Sequence, residues 1–146
     1  MTKIANSLVG TAAFVAFLLA AALGRADAAP DHAELDHVYV RITDAGLRPP
    51  AQVLAANQAV GFLNSSSAVV RVSFAASVAR QIKCRSASSF QVEGERLASA
   101  RIQGLQFASL CSLAPGSYPY RVELQQGAGT GGEQLLRSFE GTLTVR

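Results

Sequence analysis

The residues of this 146-residue chain best suited to hold a metal or exchange electrons are two histidines, His32 and His37, and two cysteines, Cys84 and Cys111. His32 and His37 stand among Asp31, Glu34 and Asp36, a mixture of imidazole and carboxylate donors that fits a weak copper or zinc site. The competing reading is a solvated N-terminal tail. Cys84 and Cys111 are separated by 26 residues, and the spacing is neither Cys-x-x-Cys nor accompanied by a nearby histidine, which sets a metal or redox pair behind a disulfide. Closing that loop stabilises the fold by about 3.5 kcal/mol in the chain-entropy model.

Hydrolytic chemistry finds no such set. Serines gather at Ser65, Ser66 and Ser67 and again at Ser86, Ser88 and Ser89. No Gly-x-Ser-x-Gly elbow holds one of them, and both histidines stand together near the N-terminus. Glu93 and Glu95 flank Gly94 in a turn-like stretch where exposure is the default for a carboxylate. The glycines between Gly127 and Gly132 lack the lysine and the following helix of a phosphate loop. The chain is therefore expected to be no enzyme, with no catalytic residue.

The elements that must position these residues begin after an export signal. Lys3, the uncharged apolar stretch from Leu8 to Leu23, and the small residues of Ala26-Asp27-Ala28 read as a cleaved signal peptide over residues 1–28. The apolar run is shorter than the roughly 20 residues of a membrane-crossing helix. Contact with a membrane is thus expected only through an uncleaved signal. A tail over 29–36 and one domain over 37–146 follow. The mature part carries a net charge of +2, with Lys3, Arg25 and Asp27 gone from the full chain's +3, which gives no sign of nucleic-acid binding. An oxidising compartment, periplasmic or extracellular, follows from the signal and suits the disulfide.

Within the domain, period-two alternation and β-branched residues predict strands over His37–Thr43, Gln52–Ala55, Ala59–Asn64, Val69–Phe74, Leu97–Ile102, Leu105–Leu110, Tyr118–Leu124 and Phe139–Val145. Gly46 reads as the turn that stops the first strand, and Pro49 and Pro50 assign Gln52–Ala55 to a sheet edge. Ser65–Ser67 joins two strands of an apparent meander. Ala75–Lys83 has spacing closer to a short helical turn, and Gln125–Glu133 reads as a glycine-rich loop. Tyr118 and Tyr120 share one strand face and are expected in the core. Arg71, Arg80, Lys83 and Arg85 read as a scattered solvated face, the competing reading being a basic patch that docks an acidic partner or an anionic membrane surface. Short strands with turn signals about every ten residues predict an all-β, antiparallel Greek-key sandwich.

Three stretches then resemble the cupredoxins, the plastocyanin-like copper proteins. They are Ile42-Thr-Asp-Ala-Gly-Leu47 with Pro49 and Val60-Gly-Phe-Leu-Asn64; Pro115-Gly-Ser-Tyr-Pro-Tyr-Arg-Val122, similar to that family's Pro-Gly-x-Tyr-x-Tyr-x-Cys; and Gly141-Thr-Leu-Thr-Val145, similar to its last strand. The resemblance implies a cupredoxin-like sandwich. It also implies where copper ligands would stand, and there this chain departs from the family. Val122 holds the cysteine position, Val70 (or Val69) the first histidine position, and Gln125–Glu133 the loop of the second histidine and axial methionine. The only methionine is Met1. A type 1 centre needs two imidazoles and a thiolate, so a degenerate member without cofactor is expected. Its role would be binding or structural, with a protein partner in the envelope meeting Ser65, Ser66, Gln125, Gly127, Gly129, Gly131 and Glu133. The alternative is copper handling or electron transfer through an atypical site at His32 and His37 or a reduced cysteine.

Overall fold

Strand β1 (His37–Thr43) alternates as its sequence predicts, sending Val40 and Ile42 inward and His37, Tyr39 and Arg41 to solvent. A computed structural model describes residues 36–83, 89–126 and 134–146. The chain divides into Met1–His32 and Ala33–Arg146, and all described residues belong to the second unit. The signal peptide, the tail residues 29–35, His32, Cys84 and the loop residues 127–133 lie outside them. No helix of the described residues is long and apolar enough to cross a membrane.

After β1 come β2 (Gly46–Arg48), β3 (Ala51–Leu54), β4 (Ala59–Asn64) and β5 (Val69–Ala75), then a 3₁₀ turn at Ala76–Gln81 where a short helical turn was expected. Strands β6 (Phe90–Glu93), β7 (Arg96–Ser99), β8 (Phe107–Leu110), β9 (Gly116–Gln125) and β10 (Leu135–Val145) complete the domain. Two sheets form, ordered β2-β1-β4-β8 and β3-β10-β9-β5-β7-β6. This is the expected β-sandwich, and β3 lies at a sheet edge, where the prolines before it placed it.

The connections depart from a meander. Strands β4 and β5 sit in different sheets, so Ser65–Ala68 crosses between layers and does not turn a hairpin. The pairings β1 with β4 and β3 with β10 are parallel, the others antiparallel. The cause is that the chain leaves the first sheet after β2 and returns to it at β4, reaching β1 in the same direction. Gly46 does end β1, but the two-residue turn Asp44–Ala45 folds Gly46–Arg48 straight back on it, with Thr43 opposite Gly46. The backbone of Gly46 (φ 144°) lies where a side chain is disfavoured. Gly94 (φ 59°) does the same work between β6 and β7, leaving Glu93 and Glu95 exposed as expected.

Inward side chains of both sheets meet around Phe62, which is fully buried. Its ring packs edge-on against Phe74, Phe90 and Tyr120 at centroid distances of 6.1, 6.0 and 5.2 Å, the arrangement that the aromatic quadrupole favours. Tyr118 and Tyr120 are both buried on one face of β9. Tyr118 donates its hydroxyl to the Ala114 carbonyl at 2.6 Å. Tyr120 lies over Gly141, where an added Cβ would collide with its ring and hydroxyl.

The Tyr120 hydroxyl has no hydrogen-bond partner among the described residues, and burial pushes its pKa up to about 12 from 10.0. Desolvation disfavours the phenolate, so the unfolded chain loses this proton first as pH rises. Stability from this group is therefore complete below about pH 10 and falls by about 2–3 kcal/mol as pH climbs towards 12. Denaturant melts across that range are expected to show the loss in the native chain and not in Tyr120→Phe, which should match or slightly exceed native stability at neutral pH. Superimposable alkaline profiles would contradict this.

Candidate functional site

The crossover from β4 to β5 is organised by one buried amide. Asn64 ends β4 with no solvent exposure. Its Nδ2 donates to the carbonyls of Ala68 and Ile102, each at 2.8 Å. Its Oδ1 accepts from the Ser66 backbone N–H at 2.9 Å and the Ser66 hydroxyl at 2.7 Å. The Asn64 backbone is engaged as well, with N–H donating to Gln106 O and the carbonyl accepting from Leu105 N. A short polar side chain thereby does what a hydrogen-bonded turn would do, drawing together the segments after β4 and before β8.

A second layer of polar contacts surrounds that amide. Ser65 N donates to Ile42 O at 2.8 Å, and Ser67 donates from its backbone N–H and hydroxyl to the Asp44 carboxylate. Arg137 of β10 donates to the Asp44 carbonyl at 3.0 Å. Gln126 N donates to Gln134 O at 2.9 Å, which closes the base of the loop between β9 and β10. The result is a tip where both sheets end together.

Beneath this tip lie Val70 and Val122, the positions where the resemblance implied copper ligands. Val70 on β5 faces Leu124 of β9, and Val72 faces Val122. Val70 and Val122 have no exposed surface and belong to the continuous apolar core. Neither has a side-chain donor atom. Among the described residues no three or more His, Cys, Asp or Glu come together.

The molecule resembles solved structures of amicyanin. It matches the copper(I) forms of two amicyanin variants with TM-scores of 0.51 and 0.52 at 18% and 19% identity, and a reduced form of a third with 0.52 at 20%. Each match covers 78% of this chain and 88% of the other. The fold is the cupredoxin fold. No family model matches the sequence, and no curated protein does, so the fold is the extent of what these likenesses carry.

On this cupredoxin frame His37 opens β1 opposite Ala59, whereas the tip lies where Ile42 meets Asn64. Five residues of strand, roughly 16 Å, separate the imidazole from the tip. There His37 comes within 3.4 Å of the Ser109 hydroxyl and stacks on Tyr39. Cys111 is buried just beyond β8, at this same far end. Of the residues expected to meet a partner, Ser65 is half-buried while Ser66 and Gln125 are buried. Ser66 belongs to the Asn64 network, and Gln125 Oε1 has no partner among the described residues. Gly127, Gly129, Gly131 and Glu133 lie outside them.

The exposed surface near the tip is more apolar than the sequence suggested. Leu105, Leu135 and Leu136 are exposed, Leu105 with 85% of its area and a positive φ of 63°. Leu135 pairs with Gln125 at the end of the β9–β10 ladder. Strand alternation places leucines inside by default, and nothing in the sequence separates these three from core leucines. The basic residues are dispersed: Arg71 pairs with Glu93, Arg80 and Lys83 are exposed, and Arg85 lies outside the described residues.

Proposed function

We propose that this chain is an exported, non-enzymatic binding or structural module of the cell envelope, built on a cupredoxin frame that carries no type 1 copper. The single observation carrying this reading is the full burial of Val70 and Val122 in the apolar core. Copper of this class requires nitrogen and thiolate donors converging on one point, and both positions offer only hydrocarbon. The retained Asn64 network supports the same reading, since it keeps the tip shaped for contact without a metal to shape it. The exposed leucines at 105, 135 and 136 form the surface that a protein partner would cover. An oxidising compartment accords with a disulfide between Cys84 and Cys111, the only two cysteines in the chain.

Metal loading tests the reading directly. The purified mature protein, incubated with copper(II) and with copper(I) under reducing conditions and then desalted, is expected to retain well under one equivalent and to show no intense visible absorption. One equivalent of copper with a strong visible band overturns it. If copper instead binds without that band and is lost in a His37→Ala variant, the atypical histidine site replaces this proposal.

A further inference from the structure

The two outer faces of the sandwich balance their charge differently. On the six-stranded sheet three outward arginines meet glutamates, Arg71 with Glu93, Arg96 with Glu123 at 3.7 Å and Arg121 with Glu140 at 3.2 Å, and a fourth, Arg137, donates to the Asp44 carbonyl. On the four-stranded sheet Arg41 of β1 stands directly opposite Arg48 of β2. Both are exposed, and neither makes an ion pair or side-chain hydrogen bond with any described residue. Like charges facing one another across a strand pair are unfavourable, so an uncompensated pair of this kind is a cost unless something anionic covers it.

The same row continues into apolar surface. Arg41 pairs with Leu63, and Leu63 with Phe107, which is 57% exposed. In the next row Tyr39, half exposed, lies flat across Gly61, where an added Cβ would meet two of its ring carbons at 2.6 Å. Gly61 is thus what lets the ring rest on the sheet with its outer face open. The Phe107 ring meets Tyr39 edge-on at 6.3 Å. Two arginines therefore stand beside an aromatic and aliphatic strip, and no outward-facing residue of β1, β2, β4 or β8 on this face is acidic.

We propose that the outer face of the four-stranded sheet is a docking surface for an acidic protein segment that carries apolar or aromatic side chains beside its carboxylates. Charge complementarity selects the anion: guanidinium groups form paired, directional hydrogen bonds with carboxylates. The strip selects the rest, because Tyr39, Leu63 and Phe107 recover exposed apolar area only against other apolar groups. A second copy of this chain is a poor occupant, since the face brings no carboxylate to its own arginines. A nucleic acid is disfavoured by the mature part's modest net charge of +2 and by a face that carries, among the described residues, only Arg41 and Arg48 as unpaired cations where a phosphate backbone takes a track of them. The inference is independent of whether the tip holds copper or a partner.

The test uses the mature protein and fluorescein-labelled peptides followed by anisotropy at low ionic strength. The probe carries Glu-Ser-Glu-Ser-Leu-Ser-Phe, and the controls replace both glutamates by glutamine or both apolar residues by serine. The probe is expected to bind saturably, to weaken about tenfold or more with R41Q/R48Q, and to weaken also with Y39A/F107A. R71Q/R121Q, on the opposite face, should leave binding unchanged. R41Q/R48Q should melt no lower than the native chain, since it relieves a repulsion, and so separates lost binding from lost fold. Absence of saturable binding, indifference to R41Q/R48Q, or equal binding of the serine control overturns the proposal. Tighter binding of a single-stranded oligonucleotide through the same arginines overturns it in favour of a phosphate polymer.

Discussion

Replacing Asn64 by alanine is expected to destabilise the domain by about 3 kcal/mol. The estimate follows from which partners are left stranded. The Ala68 carbonyl keeps the Ser66 hydroxyl at 3.3 Å, and the Ile102 carbonyl keeps Val70 N at 3.0 Å. The Ser66 N–H, which is buried, loses its acceptor, and a cavity replaces an amide that had no exposure. Asn64→Asp distinguishes this account from a simple loss of volume. The carboxylate still accepts from Ser66, but it turns an acceptor towards the carbonyls of Ala68 and Ile102, where Nδ2 donated. Desolvation and those two carbonyls raise the folded-state pKa of the new acid above its unfolded value, so folding favours its proton. Asn64→Asp should therefore be less stable than Asn64→Ala at neutral pH, recovering as pH falls towards about 4. Urea denaturation of both variants at two pH values decides the matter. An alanine variant within 1 kcal/mol of native, or an aspartate variant indifferent to pH, would remove Asn64 as the organiser of the tip.

That dependence on one amide explains which parts of the molecule its sequence disclosed. Strands β1 and β4 were legible to the residue because Val40 and Ile42, or Val60 and Phe62, alternate with a two-residue period that is local information. The layer to which each strand belongs is not local. Ser65–Ser67 suits a hairpin turn as well as a crossover, and the difference lies in Asn64 reaching Ile102, 38 residues away. The parallel partnership of β1 and β4 is equally nonlocal. Strand β2 was missed because three residues are too few for a period to appear, and with it was lost the opposition of Arg41 and Arg48 that β2 creates. At the tip, residue type misleads in both directions. Ser66 and Gln125 are polar and buried, while Leu105, Leu135 and Leu136 are apolar and exposed. The reading of residue 122 rests on spacing of another kind: Pro115-Gly-Ser-Tyr-Pro-Tyr-Arg-Val122 resembles the cupredoxin run closely enough to say which ligand that valine would replace.

Removing both cysteines is expected to have the other large effect, a loss of about 3.5 kcal/mol from closing the intervening loop. The described backbone leads up to this crosslink. Ile82 forms an antiparallel bridge with Leu113, flanked by Lys83 N to Ser112 O and Ala114 N to Gln81 O, each at 2.9 Å. Ile82 and Leu113 are thus a closely spaced pair, without hydrogen bonds of their own, two residues from Cys111 in the chain. Such pairs hold their Cα atoms roughly 4.5 Å apart, within the span a disulfide bridges. The crosslink would then tie the segment after the 3₁₀ turn to the one after β8, at the end of the sandwich remote from Asn64. Double replacement by serine keeps polarity and leaves no orphan thiol, so its melting temperature should fall to that of the reduced native protein and should itself ignore reductant. Tip-face binding of a partner should survive, because Ser66, Ala68 and the segment from Ile102 to Gln106 hold Asn64 without help from this end. Two titratable thiols per chain in denatured, unreduced protein would refute the crosslink, as would a serine variant as stable as the native chain.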